Sequence, residues 1–128
     1  HREKALAAAE QKAANRLTEA ERKAAVKRAA QMLAEKTAHF AKEMGVTYGR
    51  ITIREQKTRW GSCSSAGNLN YNWKLVLMPG RVMDYVVIHE LAHRKEMNHS
   101  ARFYAVVAQQ MPDYKVWQSW LKEHGREY

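Results

Sequence analysis

The stretch His89-Glu90-Leu91-Ala92-His93, with His99 beyond it, decides how this chain reads. On a helix, positions i and i+4 share one face, so His89 and His93 project side by side. Two imidazoles so placed can share one zinc ion at about 2.0–2.1 Å. Glu90 directly follows the first imidazole and reaches the same space without being a ligand. Zinc lowers the pKa of a bound water to about 7, and a neighbouring carboxylate can then take its proton as it attacks a carbonyl. His-Glu-x-x-His on a helix is the pattern that zinc metalloproteases carry. The bland alternative is a surface helix with two solvated histidines. Against it stands the apolar run Val82-Met83-Asp84-Tyr85-Val86-Val87-Ile88. A helix read through that run places Val82, Tyr85, Val86, His89 and His93 along one side.

A catalytic zinc site uses three protein ligands and keeps one position for water. His99, ten residues after His89, has the outer spacing of the His-Glu-x-x-His-x-x-Gly-x-x-His pattern. In that pattern a glycine turns the chain sharply out of the helix. Glu96 occupies the glycine position here, so the expected helix continues slightly further and turns near Asn98, which tolerates the left-handed conformation. The competitor is a glutamate from a later helix, and Glu123 and Glu127 are the only downstream glutamates. His99 is the preferred third ligand.

Other residues extend the picture. Thr58-Arg59-Trp60-Gly61-Ser62-Cys63-Ser64-Ser65 is followed by Gly67-Asn68-Leu69, Asn72-Trp73 and Leu75-Val76-Leu77-Met78-Pro79. Asn98-His99-Ser100, Phe103 and Met111-Pro112-Asp113-Tyr114 come after the histidine motif. In this order, over roughly residues 48–128, the chain resembles the YgjP-like metal-dependent hydrolases. The resemblance implies a zincin-like fold related to SprT-type and WLM-type proteases. It implies zinc held by His89, His93 and His99, with Glu90 as general base. Two positions depart from the family's habit: Arg94 replaces an apolar residue, and Tyr104 stands where Trp is common.

Composition sets the frame. A length of 128 residues allows one small domain, and 45% hydrophobic residues is ordinary for a globular chain. No run approaches the 18 or so apolar residues of a membrane span. The single cysteine, Cys63, excludes an internal disulfide and fits a cytoplasmic location. Cys63 reads as a small packed residue, with a redox switch near the metal as the lesser idea. The charge of +9 is spread along the chain without a block. It is either a solvated basic surface or a sign of an acidic partner such as nucleic acid.

Residues 1–44 form an N-terminal helical segment, and residues 45–128 the metallopeptidase domain. Alanine and long charged side chains favour helix throughout 1–44. Thr18-Glu19-Ala20-Glu21 has capping-box form, dividing a first helix around His1–Arg16 from a second that stops at Gly45. The second helix carries an expected stripe of Val26, Ala30, Leu33, Thr37, Phe40 and Met44. Arg50–Arg54 alternates as a half-buried strand. Arg59–Ser64 and Asn68–Asn72 flank a turn at Ser65-Ala66-Gly67 and form a hairpin. Trp73–Met78 reads equally as strand or short helix. An active-site helix spans roughly Arg81–Glu96. Ser100 caps a helix to about Met111, and Asp113 caps a last helix ending near His124-Gly125. Val116, Trp117, Trp120 and Leu121 are expected to form the core stripe of that last helix.

The order points to α+β, a small sheet packed on the active-site helix with helices at either end. The hairpin's second strand is the expected edge where an extended peptide would add. Arg59 and Trp60 either orient substrate or brace the hairpin, with bracing preferred for Trp60. Tyr71, Tyr85 and Tyr104 are equally suitable as an oxyanion donor. The expected activity is zinc-dependent hydrolysis of peptide bonds in a protein or peptide substrate. A hydrolase of nucleotides or other phosphorylated molecules is one alternative. A DNA-associated module with a structural zinc is the other.

Overall fold

The computed structural model describes residues 13–55 and 59–128. The first helix expected over residues 1–16 therefore lies mostly outside the described residues, and its end, Ala13–Arg16, is a 3-10 turn. Helix α1, Glu19–Met44, begins and ends where the cap residues predict. The Thr18 hydroxyl accepts from the Glu21 amide at 3.1 Å, and the Glu21 carboxylate accepts from the Thr18 amide at 2.9 Å. Two amides that would otherwise lack partners are thus satisfied. Gly45 closes the helix in the left-handed region at φ 70°, donating to the carbonyls of Ala41 and Lys42.

The buried stripe of α1 differs from the expected one. It runs Ala25, Ala29, Leu33, Thr37, Ala41 and Met44, whereas Ala30 is exposed and Val26 and Phe40 are half-buried. Small side chains win the inner face because α1 lies close against the segment Trp73–Leu77 and the active-site helix. Larger residues are displaced to the flanks of the contact. The helix shares one apolar core with the rest of the chain.

Three strands form one sheet: β1 Ile51–Arg54, β2 Gly61–Cys63 and β3 Leu69–Asn72. Their order is β1-β3-β2. β3 pairs antiparallel with β2, Gly61 opposite Tyr71 and Cys63 opposite Leu69. It pairs parallel with β1, Ile51 opposite Leu69 and Arg54 opposite Asn72. The hairpin turns at Gly67, whose φ of 89° needs glycine. This topology corrects the expected edge. The hairpin's second strand, β3, is central and bonded on both sides; the first strand, β2, pairs with β3 alone among the described residues.

Trp73–Leu77 is a 3-10 helix, which settles that segment against a strand. Asn72 initiates it, its side chain accepting from the Lys74 amide at 3.0 Å. Helix α2, Gly80–Ala92, runs through the core with Val82, Met83, Val87, Ile88 and Leu91 buried. Its first turn is tied by Asp84, which is 8% exposed and accepts from Lys36 of α1 at 2.6 Å and from Arg81 at 3.3 Å. Arg81 also reaches Asp113 at 3.2 Å. Helices α3, Ala101–Gln110, and α4, Tyr114–His124, follow, and Gly125–Glu127 closes the chain as a 3-10 turn.

Two expectations for α4 need correction. Asp113 makes no side-chain cap; it binds Arg81 and the Trp117 indole N–H at 3.1 Å instead. Val116 is 58% exposed and outside the core, while Trp117, Trp120 and Leu121 pack against it half-buried. No described helix is long and apolar enough to cross a membrane.

Candidate metal centre

The end of α2 and His99, two residues before α3, meet in one place. His89 and His93 stand on the same face of α2, as i and i+4 require. The helix ends at Ala92, four residues before the expected Glu96. Amides of His93, Arg94 and Lys95 bond to the carbonyls three residues back, at 3.2, 3.0 and 3.0 Å. This tightening turns the chain without any left-handed residue; among the described residues no non-glycine has positive φ. Asn98 is therefore not the left-handed pivot expected, and Glu96 fits where a glycine would otherwise be demanded. Ser100 starts α3 by accepting from the Phe103 amide at 3.4 Å, which leaves His99 facing back toward α2.

The ligand atoms of His89, His93 and His99 all lie within 4.8 Å of one another. No other His, Cys, Asp or Glu joins them among the described residues. The Nε2 atoms of His89 and His99 are 3.2 Å apart. Two ligands on one tetrahedral zinc stand about 3.3 Å apart, so this spacing fits a shared ion. The Nδ1–H of His93 donates to the Glu96 carbonyl at 3.2 Å, since a carbonyl only accepts. That fixes the tautomer and leaves the Nε2 lone pair free, the outer-shell arrangement common to metal-ligating histidines. Nδ1 of His89 faces the Tyr85 hydroxyl at 3.5 Å.

Electrostatics favour the same form. Burial, and then the neighbouring His93 and His99 rings, push His89 down to about 4. Burial also lowers His93. Neutral imidazoles with convergent lone pairs are the chemistry of a cation site. Beneath them lies Phe103, fully buried, with its ring centroid 4.8, 4.5 and 4.9 Å from those of His89, His93 and His99. Phe103 acts as the floor that all three rings share. In the sequence Phe103 stands only as part of a motif; its spacing of four from His99 on a capped helix is the available signal.

The histidines open into a cleft of about 510 Å³. Arg59, Trp60, Gly61, Ser62 and Cys63 form one wall, along β2. Tyr85, Val86 and Glu90 of α2 form the other, and Met97 and Leu121 complete it. Glu90 is 6% exposed. Burial raises its carboxyl to about 7, against a smaller opposing pull from the Arg59 charge. Gly61 makes this geometry available: a Cβ there would lie 3.1 Å from Cγ of Glu90 and 3.1 Å from Val86. Only a hydrogen lets the strand approach so near the helix.

The cleft separates the three tyrosines that sequence could not rank. Tyr71 is buried on the far side, 3.0 Å from the Thr37 hydroxyl. Tyr104 stacks between His99 and Tyr114, with centroids 6.3 and 5.8 Å away, and does not line the cleft. Tyr85 alone of the three lines it. Trp60 also braces: a Cβ on Gly125 would meet its ring at 3.1 Å, so the C-terminal turn packs on the indole. Cys63 is half-buried in the cleft wall, and burial raises its thiol. Glu123 and Glu127 flank His124 at 3.9 and 2.7 Å, and neither joins the histidine cluster.

The fold class is that of metallopeptidases. The architecture is similar to the metallopeptidase zymogen abylysin of Pyrococcus abyssi, with a TM-score of 0.64 and 22% identity over 71% of this chain and 93% of that one. It is also similar to the zymogen jannalysin of Methanocaldococcus jannaschii, with a TM-score of 0.55 and 18% identity over 66% and 90%. No match is found among curated proteins. The sequence matches the YgjP-like, metallopeptidase domain over residues 1–124, and the chain belongs to that family. The match extends well upstream of the motifs near residue 48, through α1.

Proposed function

We propose that the chain is a zinc-dependent peptidase in which His89, His93 and His99 hold one ion and Glu90 is the general base. The reading rests chiefly on one observation: three imidazoles converge, their ligand atoms within 4.8 Å of one another, beside a buried carboxyl. Zinc, when bound, supplies Lewis acidity and lowers the pKa of a coordinated water to about 7. Glu90 takes a proton from the attacking water and carries it to the leaving amine. Its carboxyl, held near 7 by burial, is suited to both the acceptance and the release. Tyr85 orients His89 through Nδ1 and stands where it can donate to the oxygen of the tetrahedral intermediate. The substrate lies extended along β2, whose outer edge pairs with nothing among the described residues. In this reading the chemistry belongs to residues 45–128, and α1 buttresses the helix that carries it.

The test is a panel run on metal-quantified protein. Elemental analysis after dialysis should find about one zinc per chain. Unfolded casein-like protein should be cleaved, while nucleoside triphosphates and DNA remain intact and DNA-bound protein is cut no faster than free protein. Absence of zinc uptake, or turnover confined to a phosphorylated substrate, would overturn the proposal.

A further inference from the structure

We propose that Arg59 selects peptide substrates carrying a carboxylate close to the scissile bond. The inference rests on the peptidase reading above and adds a substrate preference to it.

Arg59 lies two residues before β2 and is the one Lys or Arg among the described residues lining the cleft. The cleft it lines also contains the apolar side chains of Trp60, Val86, Met97 and Leu121. Several other described cations are engaged elsewhere. Lys74 and Arg22 pair with Glu55, Lys36 and Arg81 with Asp84, and Arg94 donates to the carbonyls of Thr47 and Ser65. No ion pair joins Arg59 to a carboxylate among the described residues, Glu90 included.

The backbone beneath Arg59 is held in place. The Asn72 side-chain amide donates to the Arg59 carbonyl at 3.3 Å, and the Asn72 backbone amide donates to the Trp60 carbonyl at 2.9 Å. Asn72 itself is 1% exposed on the central strand. Arg59 thus lines the cleft from a backbone anchored at the two carbonyls on either side of Trp60. A peptide lying along β2 passes it. A planar fork of donors matches a carboxylate in two parallel hydrogen bonds. The carboxylate has two sources, an Asp or Glu side chain or the substrate's own C-terminus.

The experiment uses the full chain loaded with zinc and a set of fluorogenic peptides of one core sequence. Glu, Gln or Lys is placed in turn at each position either side of the cleaved bond, and each peptide is made with a free and an amidated C-terminus. We expect one position at which Glu exceeds Lys in kcat/KM by on the order of tenfold or more. If the terminal carboxylate is the group read, the free peptide exceeds its amide by a similar factor instead. Arg59→Gln brings the ratio close to one, Arg59→Lys restores part of it, and Arg59→Glu inverts it. Calorimetric titration of zinc-loaded Glu90→Gln protein with the same peptides, uncleaved, should give the same order in Kd. Equal rates for Glu, Gln and Lys at every position, with no effect of amidation, overturn the inference alone. A preference that survives Arg59→Glu does the same. Failure to cleave any peptide overturns the peptidase reading, and this inference with it.

Discussion

A methyl group on Gly61 would sit 3.1 Å from Cγ of Glu90, so the edge strand and the proposed base leave no room for a side chain between them. The same methyl would meet the Asn70 carbonyl at 3.2 Å. Gly61→Ala therefore pushes β2 away from α2 or displaces the Glu90 side chain. Stability should fall by about 1 kcal/mol, as for modest overpacking. Turnover should fall further, by about 10- to 100-fold, because a small misplacement of a reacting group is costly. Zinc content should stay unchanged. Kinetics combined with elemental analysis distinguish this from general unfolding.

Glu90→Gln keeps shape and loses the proton acceptor. Hydrolysis should drop by about 10²- to 10⁴-fold with zinc retained. Turnover near that of the parent, measured on zinc-loaded protein, would rule out Glu90 as base.

His99→Ala should weaken zinc retention about as much as His93→Ala, since each removes one of three proposed ligands. Competition against a chelator measures it. Glu123→Ala, whose side chain lies beside His124, should leave retention unaltered. The opposite pattern would restore the glutamate alternative.

Acid should loosen the contact around Glu55. Its carboxylate accepts from the Trp73 indole at 3.1 Å and pairs with Lys74 at 3.3 Å and with Arg22. The Trp73 hydrogen bond is the main cause holding its pKa below 4.5, followed by Lys74 and Arg22 against the opposing effect of burial. A depressed folded-state pKa contributes stability that is present above the unfolded value and lost as pH falls through the folded one. The loss therefore lies below pH 4.5. Because Glu55 is partly exposed, the contribution is under about 1 kcal/mol. Glu55→Gln should flatten the acid limb of stability against pH, read by thermal melts.

Asp84→Ala removes the anion that Lys36 and Arg81 share, leaving the half-buried Lys36 ammonium without it. Urea unfolding should show a loss of about 2 kcal/mol, below the range for a fully buried pair because Lys36 retains some solvent. Adding Lys36→Met should recover part of it. No recovery would mean that Asp84 acts through the helix start rather than through the pair.

Local chemistry made much of this fold legible. Thr18, Glu21 and Gly45 bounded α1 because capping is decided within a few residues. Gly67 and Ser100 did the same for the hairpin and α3. His89 and His93 were legible as neighbours because spacing on a helix is rigid, and His99 because its distance from His89 in sequence follows a known motif. What failed depended on distant partners. The parallel pairing of β1 with β3 joins strands separated by the hairpin's first arm, and no local pattern encodes it. The edge consequently fell on the wrong strand. The inner face of α1 belonged to Ala25, Ala29 and Ala41 because the opposing surface comes close, which periodicity alone ranks poorly. The end of α2 was set too late because the tight turns over His93–Lys95 need no glycine. Tyr85 could be chosen over Tyr71 and Tyr104 only once the cleft was in view.

The early end of α2 has a mechanical corollary. His89 and His93 belong to one helix and its cap, whereas His99 stands on the threshold of the next. An ion gripping all three is a cross-link, closing the loop from His89 to His99 much as a covalent bridge would. Loading the proposed site would pin α3 against α2, and stripping it would release a hinge at residues 94–98. On the proposed ligation, the turn that brings the histidines together would make metal occupancy a setting of the protein's stiffness, so that chelation should register as faster amide exchange through this turn before any global unfolding.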